Sequence, residues 1–261
     1  MAAAGGEEVL AGGGVNHVVR TGRFVRRPAG PWSPAVHALL AHVRAAGFAG
    51  APLAHGFDDQ GREILDHLPG DVPDYPLARA VRSDAALVAV AVLLRGYHDA
   101  TVGFVPPAGA RWYRPTREPA DVVCHGDIAP YNCVFRQGRP VAFIDFDTAH
   151  PGPRVWDVAY AAYRFVPLTG PGNPDFTAPV AEQTRRLALF ADAYGLDAAA
   201  RVALPVVARG RLADLVRHMH DRAAAGVAAF AEHIAQGHDV LYRADQAHIA
   251  GHEAAFVAAL R

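Results

Sequence analysis

Residues 121–157 read DVVCHGDIAPYNCVFRQGRPVAFIDFDTAHPGPRVWD. Two apolar runs stand in this stretch, Val122-Val123-Cys124 and Val141-Ala142-Phe143-Ile144, and each leads into polar residues. The runs predict two short buried strands that carry Asp127 and Asp145 just beyond their ends. A carboxylate at a strand end is rigidly held close to the core, and its desolvation must be offset by a cation or by hydrogen bonds. Asp127, Asn132, Asp145 and Asp147 together offer carboxylate and amide oxygens to a hard cation. Mg²⁺ takes such ligands, commonly one or two carboxylates plus substrate phosphates.

Composition narrows the chemistry from the other side. All 25 basic residues of the 261-residue chain are arginine. Without lysine there is no P-loop lysine, no Schiff base and no Ser-x-x-Lys acylation site. The only serines, Ser33 and Ser83, do not sit in Gly-x-Ser-x-Gly, which excludes a nucleophile-elbow hydrolase. Twenty-six acids against 25 arginines give a net charge of −1, so a nucleic-acid partner is not expected. Two cysteines, Cys124 and Cys133, form no disulfide framework and suit a reducing cytoplasm. The N-terminal MAAAGGEEVLAGGG does not read as a signal peptide, and no apolar run is long enough for a membrane span.

Working outward, residues 7–27 read as short strands broken by glycine turns. Ser33-Pro34 opens a helix that ends at Gly47, with Val36, Leu39, Leu40 and Val43 on one face. Residues 51–70 read as strand, an Asp58–Gly61 turn, and strand. Leu68-Pro69-Gly70-Asp71 reads as a hinge, and Leu77–Ala100 as one long helix. From about Val155 onward the chain is expected to be helical, interrupted by Pro and Gly over 166–179. The expectation is an α+β protein with two lobes. Residues 1–68 form a small antiparallel β-rich lobe and residues 69–261 a larger, mainly helical one, with the chemistry in the cleft between them.

An Asp, an Asn five residues on and a second Asp after a short hairpin is the phosphotransferase arrangement of protein kinases. The His125-Gly126-Asp127 form, followed by Gly152-Pro153-Arg154-Val155-Trp156-Asp157, resembles the aminoglycoside phosphotransferase and choline kinase-like family. Within it, the chain looks most like small bacterial proteins of the phosphotransferase or trifolitoxin-immunity type. That resemblance implies a protein kinase-like fold, ATP and Mg²⁺ as cofactors, and a small-molecule hydroxyl acceptor. It implies Asp127 as the catalytic residue and Asn132 and Asp145 as metal ligands. His125 and Asp157 would have supporting structural roles, and Asp147 either a further metal or loop contact or a solvated position. Nucleotide contacts would fall on the first lobe and the hinge, at Gly13, Gly14, Asn16, Asp66 and Leu68.

The phosphate-clamping lysine of kinases has no counterpart here. Arg26, in the strand Phe24–Pro28, is its expected replacement, with Arg27 on the opposite strand face. The helix position where a glutamate partner is expected carries His37. Gly12-Gly13-Gly14 lacks the Gly-x-Gly-x-x-Gly spacing and reads equally as a phosphate cradle or a plain hairpin turn. His218, His220, His248 and His252 are expected on solvated helix faces rather than around a metal.

Overall fold

The structure is a computed structural model and describes residues 7–10 and 18–261. The glycine stretch with Gly13, Gly14 and Asn16 lies outside the described residues.

An antiparallel sheet in the order β1-β2-β3-β5-β4 opens the chain. Its strands are β1 (Glu8–Val9), β2 (Val19–Thr21), β3 (Phe24–Pro28), β4 (Ala54–Phe57) and β5 (Arg62–Asp66), with α1 (Ser33–Ala45) inserted after β3. β3 and β5 pair so that Val25 faces Leu65 and Arg27 faces Glu63. Asp58 closes the β4–β5 turn, its carboxylate accepting from the Gln60 and Arg62 backbone N–H groups at 3.0 and 2.9 Å. The expected apolar stripe of α1 is buried, with Leu39 and Val43 fully inaccessible. The helix starts with Trp32 as N-cap, and Ser33 Oγ accepts from the Gly30 N–H at 3.0 Å.

The linker between the sheet and the rest is pinned. Asp71 exchanges both backbone hydrogen bonds with Phe135, at 2.8 and 2.7 Å. Gly70 adopts φ +145°, and a Cβ there would lie 2.5 Å from Val134 and 2.6 Å from the Phe135 carbonyl. Only glycine lets the linker approach so closely.

The expected helix over 77–100 begins later: α2 spans Asp84–Thr101, capped by Ser83 Oγ, which accepts from Ala86 N–H at 3.2 Å. A serine N-cap supplies an acceptor to an otherwise orphaned donor, which fixes the start there. The two strands read from the sequence form, but they do not pair with each other. β6 (Val122–Cys124) pairs with β9 (His150–Gly152), and β7 (Cys133–Arg136) with β8 (Arg139–Phe143). Five helices follow: α3 (Arg154–Phe165), α4 (Val180–Tyr194), α5 (Ala198–Ala224), α6 (Ala228–Ala235) and α7 (His238–Gly251). α8 (Glu253–Leu260) ends the chain. One apolar core runs from Val36 and Leu65 through Leu94, Tyr97 and Phe143 to Phe256 and Leu260. Burying a side chain of this size contributes roughly 1.5–3 kcal/mol.

Among the described residues, no helix is long and apolar enough to cross a membrane.

Candidate active site

The loop after β6 is built on glycine and anchored by aspartate. Gly126 sits at φ +86°, and a Cβ there would meet the Thr148 carbonyl at 2.5 Å. The loop's first two N–H groups, of His125 and Gly126, donate to Asp157 at 2.7 and 2.9 Å. Asp157 stands in the first turn of α3 and is 1 % exposed. Burial works against its ionisation, but hydrogen bonding from His98 and from the His125 backbone outweighs it and holds the carboxyl at about 2. The His98 ring, itself buried and shifted down by desolvation, completes a chain to the Tyr194 hydroxyl at 2.7 Å. His125 Nε2 donates to the Ile144 carbonyl at 2.9 Å, which leaves Nδ1 to accept from Asp127 N–H at 3.3 Å. Both ring nitrogens are thus spent on holding the loop against the strand end that leads to Asp145.

Asp127 emerges from this support with its carboxylate aimed by two neighbours. Asn132 Nδ2 donates to Oδ2 at 2.9 Å and to the Asp127 carbonyl at 3.0 Å, while the Tyr131 hydroxyl donates to Oδ1 at 3.2 Å. Burial pushes the Asp127 pKa upward, with Asp145 adding to the rise against the pull of His125, Arg211 and Arg164. A raised pKa makes the carboxylate a better proton acceptor. Arg211, on α5, ties the same loop from below by donating to the Gly126 carbonyl at 2.6 Å.

Asn132 and Asp145 flank the open end of the β7–β8 hairpin. Asn132 closes a 3₁₀ turn over Pro130–Asn132 and its carbonyl accepts from Ile144 N–H at 3.0 Å. Asp145 follows in the left-handed region, φ +63°. That uncommon backbone turns its side chain out of the strand, where it is 44 % exposed.

The guanidinium that reaches this end belongs to Arg27, not to Arg26. Arg27 is 6 % exposed and donates to Glu63 Oε1 at 2.6 Å, Asp145 Oδ1 at 2.5 Å and Asp147 Oδ1 at 2.6 Å. Desolvation lowers the Arg27 pKa, but Asp145, Asp147 and Glu63 raise it further and keep it protonated. Arg26 lies on the other strand face, 3.7 Å from Asp58. The acid missing from α1 is supplied by Glu63, the cross-strand neighbour of Arg27, and His37 Nε2 lies 2.9 Å from Glu63 Oε2. Asp147 is pushed up to about 6, first by burial, then by Asp145 and Glu63 against the pull of Arg27.

Three carboxylates around one guanidinium leave negative charge uncompensated. Asn132 Oδ1 and Asp145 Oδ2 accept no hydrogen bond among the described residues. This donor set fits a hard divalent cation held also by phosphate oxygens. No three His, Cys, Asp or Glu side chains among the described residues converge on one metal position.

Asp66 and Leu68 lie at the end of β5 and just beyond it. Asp66 takes His55 Nε2 at 2.8 Å and Leu53 N–H at 3.3 Å, and Leu68 is half-buried. Of the helical histidines, His218 lies 3.3 Å from the Tyr113 hydroxyl, His220 3.0 Å from Asp239, and His248 3.0 Å from Gln183. His252 Nδ1 donates to the His248 carbonyl at 2.9 Å. Cys124 and Cys133 are fully buried, and burial pushes both thiols well up. The sequence reading missed Glu63, Tyr131 and Arg211. The alternation that places Glu63 beside Arg27 becomes visible only once the β3–β5 register is known.

This arrangement has counterparts. Residues 109–203 match the phosphotransferase enzyme (APH) family. The trifolitoxin immunity protein of Rhizobium leguminosarum bv. trifolii is 35% identical over 198 residues, covering 73% of this chain and 74% of that protein. The chain belongs to the phosphotransferase enzyme family. Two solved structures share its kinase-like fold at a TM-score of 0.64. An amicoumacin kinase in complex with AMP-PNP, Ca²⁺ and Ami is 15% identical, with 87% of each chain covered. A choline/ethanolamine kinase family protein from Mesorhizobium loti is 16% identical, covering 98% of this chain and 92% of the other.

Proposed function

We propose that the protein is an ATP- and Mg²⁺-dependent phosphotransferase that moves the γ-phosphate to a hydroxyl of a small molecule. The observation that supports it best is the division of labour at Asn132. Its amide nitrogen aims Asp127, while its amide oxygen, with Asp145 Oδ2, is left without a hydrogen-bond partner. Asp127 accepts and orients the acceptor hydroxyl; Tyr131 and Asn132 fix the two carboxylate oxygens so that a hydroxyl must approach along their remaining lone pairs. Asn132 and Asp145 would hold the metal, which when bound neutralises charge on the transferring phosphate. Arg27, set between Glu63 and Asp145, is the cation of the first lobe placed to meet nucleotide phosphates. His125 and Asp157 hold the loop.

The test is a thermal-denaturation series with AMP-PNP and Mg²⁺, followed by ATP turnover across a panel of hydroxyl compounds. Saturation at about 100 times Kd should stabilise the fold by roughly 2.7 kcal/mol. A second reading is a non-catalytic immunity protein on the same fold. It is favoured by Arg27 spanning both Asp145 and Asp147, which occupies the metal side of the site with a guanidinium. Absence of any nucleotide-dependent stabilisation would select it.

A further inference from the structure

Beside Asp127 lies a cluster of tyrosines with a buried cation at its centre. The Tyr131 hydroxyl, which donates to Asp127, also lies 3.2 Å from the Tyr160 hydroxyl. Tyr75, on the linker, and Tyr163, on α3, continue the cluster, and Tyr242 of α7 packs 6.3 Å from Tyr163. Arg164 of α3 sits among them: its guanidinium carbon is 4.8 Å from the Tyr75 ring centre, 5.4 Å from that of Tyr131 and 5.6 Å from that of Tyr163. Arg164 is 6 % exposed, yet its Nε finds no acceptor among the described residues. Its Nη2 donates to the Tyr75 hydroxyl at 2.5 Å and to Asp175 at 3.1 Å. Arg211, 4.5 Å over the Tyr160 ring, is equally buried and leaves Nε and Nη1 without acceptors among the described residues.

Two carboxylates of this region already have partners. Asp175 is paired with Arg164. Asp245, 1 % exposed, accepts from the Tyr163 hydroxyl, the Gly170 N–H and Asn173 Nδ2 at 2.7–2.8 Å. A polyamine acceptor entering here would therefore meet two guanidinium groups, while Asp175 and Asp245 are already engaged. Buried donors without acceptors cost free energy until something accepts from them. A carboxylate does so with charge-assisted geometry matched to guanidinium. Tyrosine rings supply flat apolar walls for the rest of the molecule.

We propose that the acceptor is a hydroxyl compound bearing a carboxylate, which Arg164 seats beside Asp127. This rests on the phosphotransferase reading above and narrows its acceptor to an anionic rather than a polycationic class. The binding arm of the test uses AMP-PNP and Mg²⁺, so that no transfer occurs. Glycerate, 3-phenyllactate and a serine tripeptide with a free C-terminus are titrated calorimetrically, each beside its neutral ester or amide, with kanamycin as the polycation. At least one acid should bind about tenfold more tightly than its neutral form. Arg164→Met should abolish that preference while keeping AMP-PNP binding. Because Arg164 is buried, Asp175→Asn serves as the second variant. It frees Arg164 from its counter-charge at a partly exposed position, and should tighten acid binding about threefold. Equal binding of acids and neutral forms, tighter binding of kanamycin, no binding of any acid, or weaker acid binding by Asp175→Asn would each overturn the assignment. Transfer of γ-phosphate from ATP is measured separately. Acid binding lost with Arg164→Met, but no transfer to any acid, would leave the carboxylate subsite standing and overturn the phosphotransferase reading instead.

Discussion

Arg27 is held by three carboxylates, so removing it leaves Glu63, Asp145 and Asp147 facing one another. Arg27→Met should cost about 3 kcal/mol, the penalty for stranding a buried partner charge. Arg26→Met, whose nearest acid is 3.7 Å away, should stay within about 0.5 kcal/mol of wild type. Urea denaturation of the two variants checks this, and equal losses would contradict the assignment of the clamp to Arg27. Asp127→Asn keeps the shape of the loop but removes the carboxylate proposed as proton acceptor. Turnover should fall by roughly 10²–10⁴-fold with nucleotide affinity unchanged, read by steady-state kinetics and calorimetry. The carboxylates and the amide at 127, 132, 145 and 147 were legible in the sequence because strand ends and spacing place them. The choice between Arg26 and Arg27 was not. One residue along a strand switches faces, and which face meets the second lobe depends on register and sheet twist.

At the scale of elements, α3 does more than pack. Its first-turn Asp157 ties the loop after β6 to the helix through the His125 and Gly126 N–H groups. With the folded carboxyl at about 2 and the unfolded one near its ordinary value, ionised Asp157 stabilises the fold above pH 4. That contribution, on the order of a few kcal/mol, is lost as pH falls from 4 toward 2. Stability curves for wild type and Asp157→Asn, compared between pH 5 and pH 2, should therefore converge at the acid end; parallel curves would refute the assignment. Helix faces such as that of α1 were readable from period alone. β7 and β9 were not: β9 is His150-Pro151-Gly152, a composition that reads as a turn and becomes a strand only because β6 lies alongside it. The late start of α2 was signalled by Ser83 and obscured by the apolar residues Leu77 and Val81 upstream, which are buried without being helical.

For the whole molecule, the continuous core matters more than the division into a sheet and a helical mass. Leu65 of the sheet and Leu260 of the last helix belong to one cluster. Asp71 is stitched to Phe135 across the linker. Unfolding should accordingly be a single cooperative transition, with calorimetric and van't Hoff enthalpies in agreement. Two separated heat-absorption peaks would show that the sheet unfolds on its own.

Cys124 ends β6 and Cys133 begins β7, so the two thiols bracket the loop that carries Asp127 and Asn132. Both are sealed from solvent and disinclined to ionise. A thiol reagent can reach them only when the loop's flanking strands part, so the rate of modification is a clock for that opening. Any ligand that tightens the loop will slow the clock, and its occupancy can be followed without knowing the reaction it takes part in.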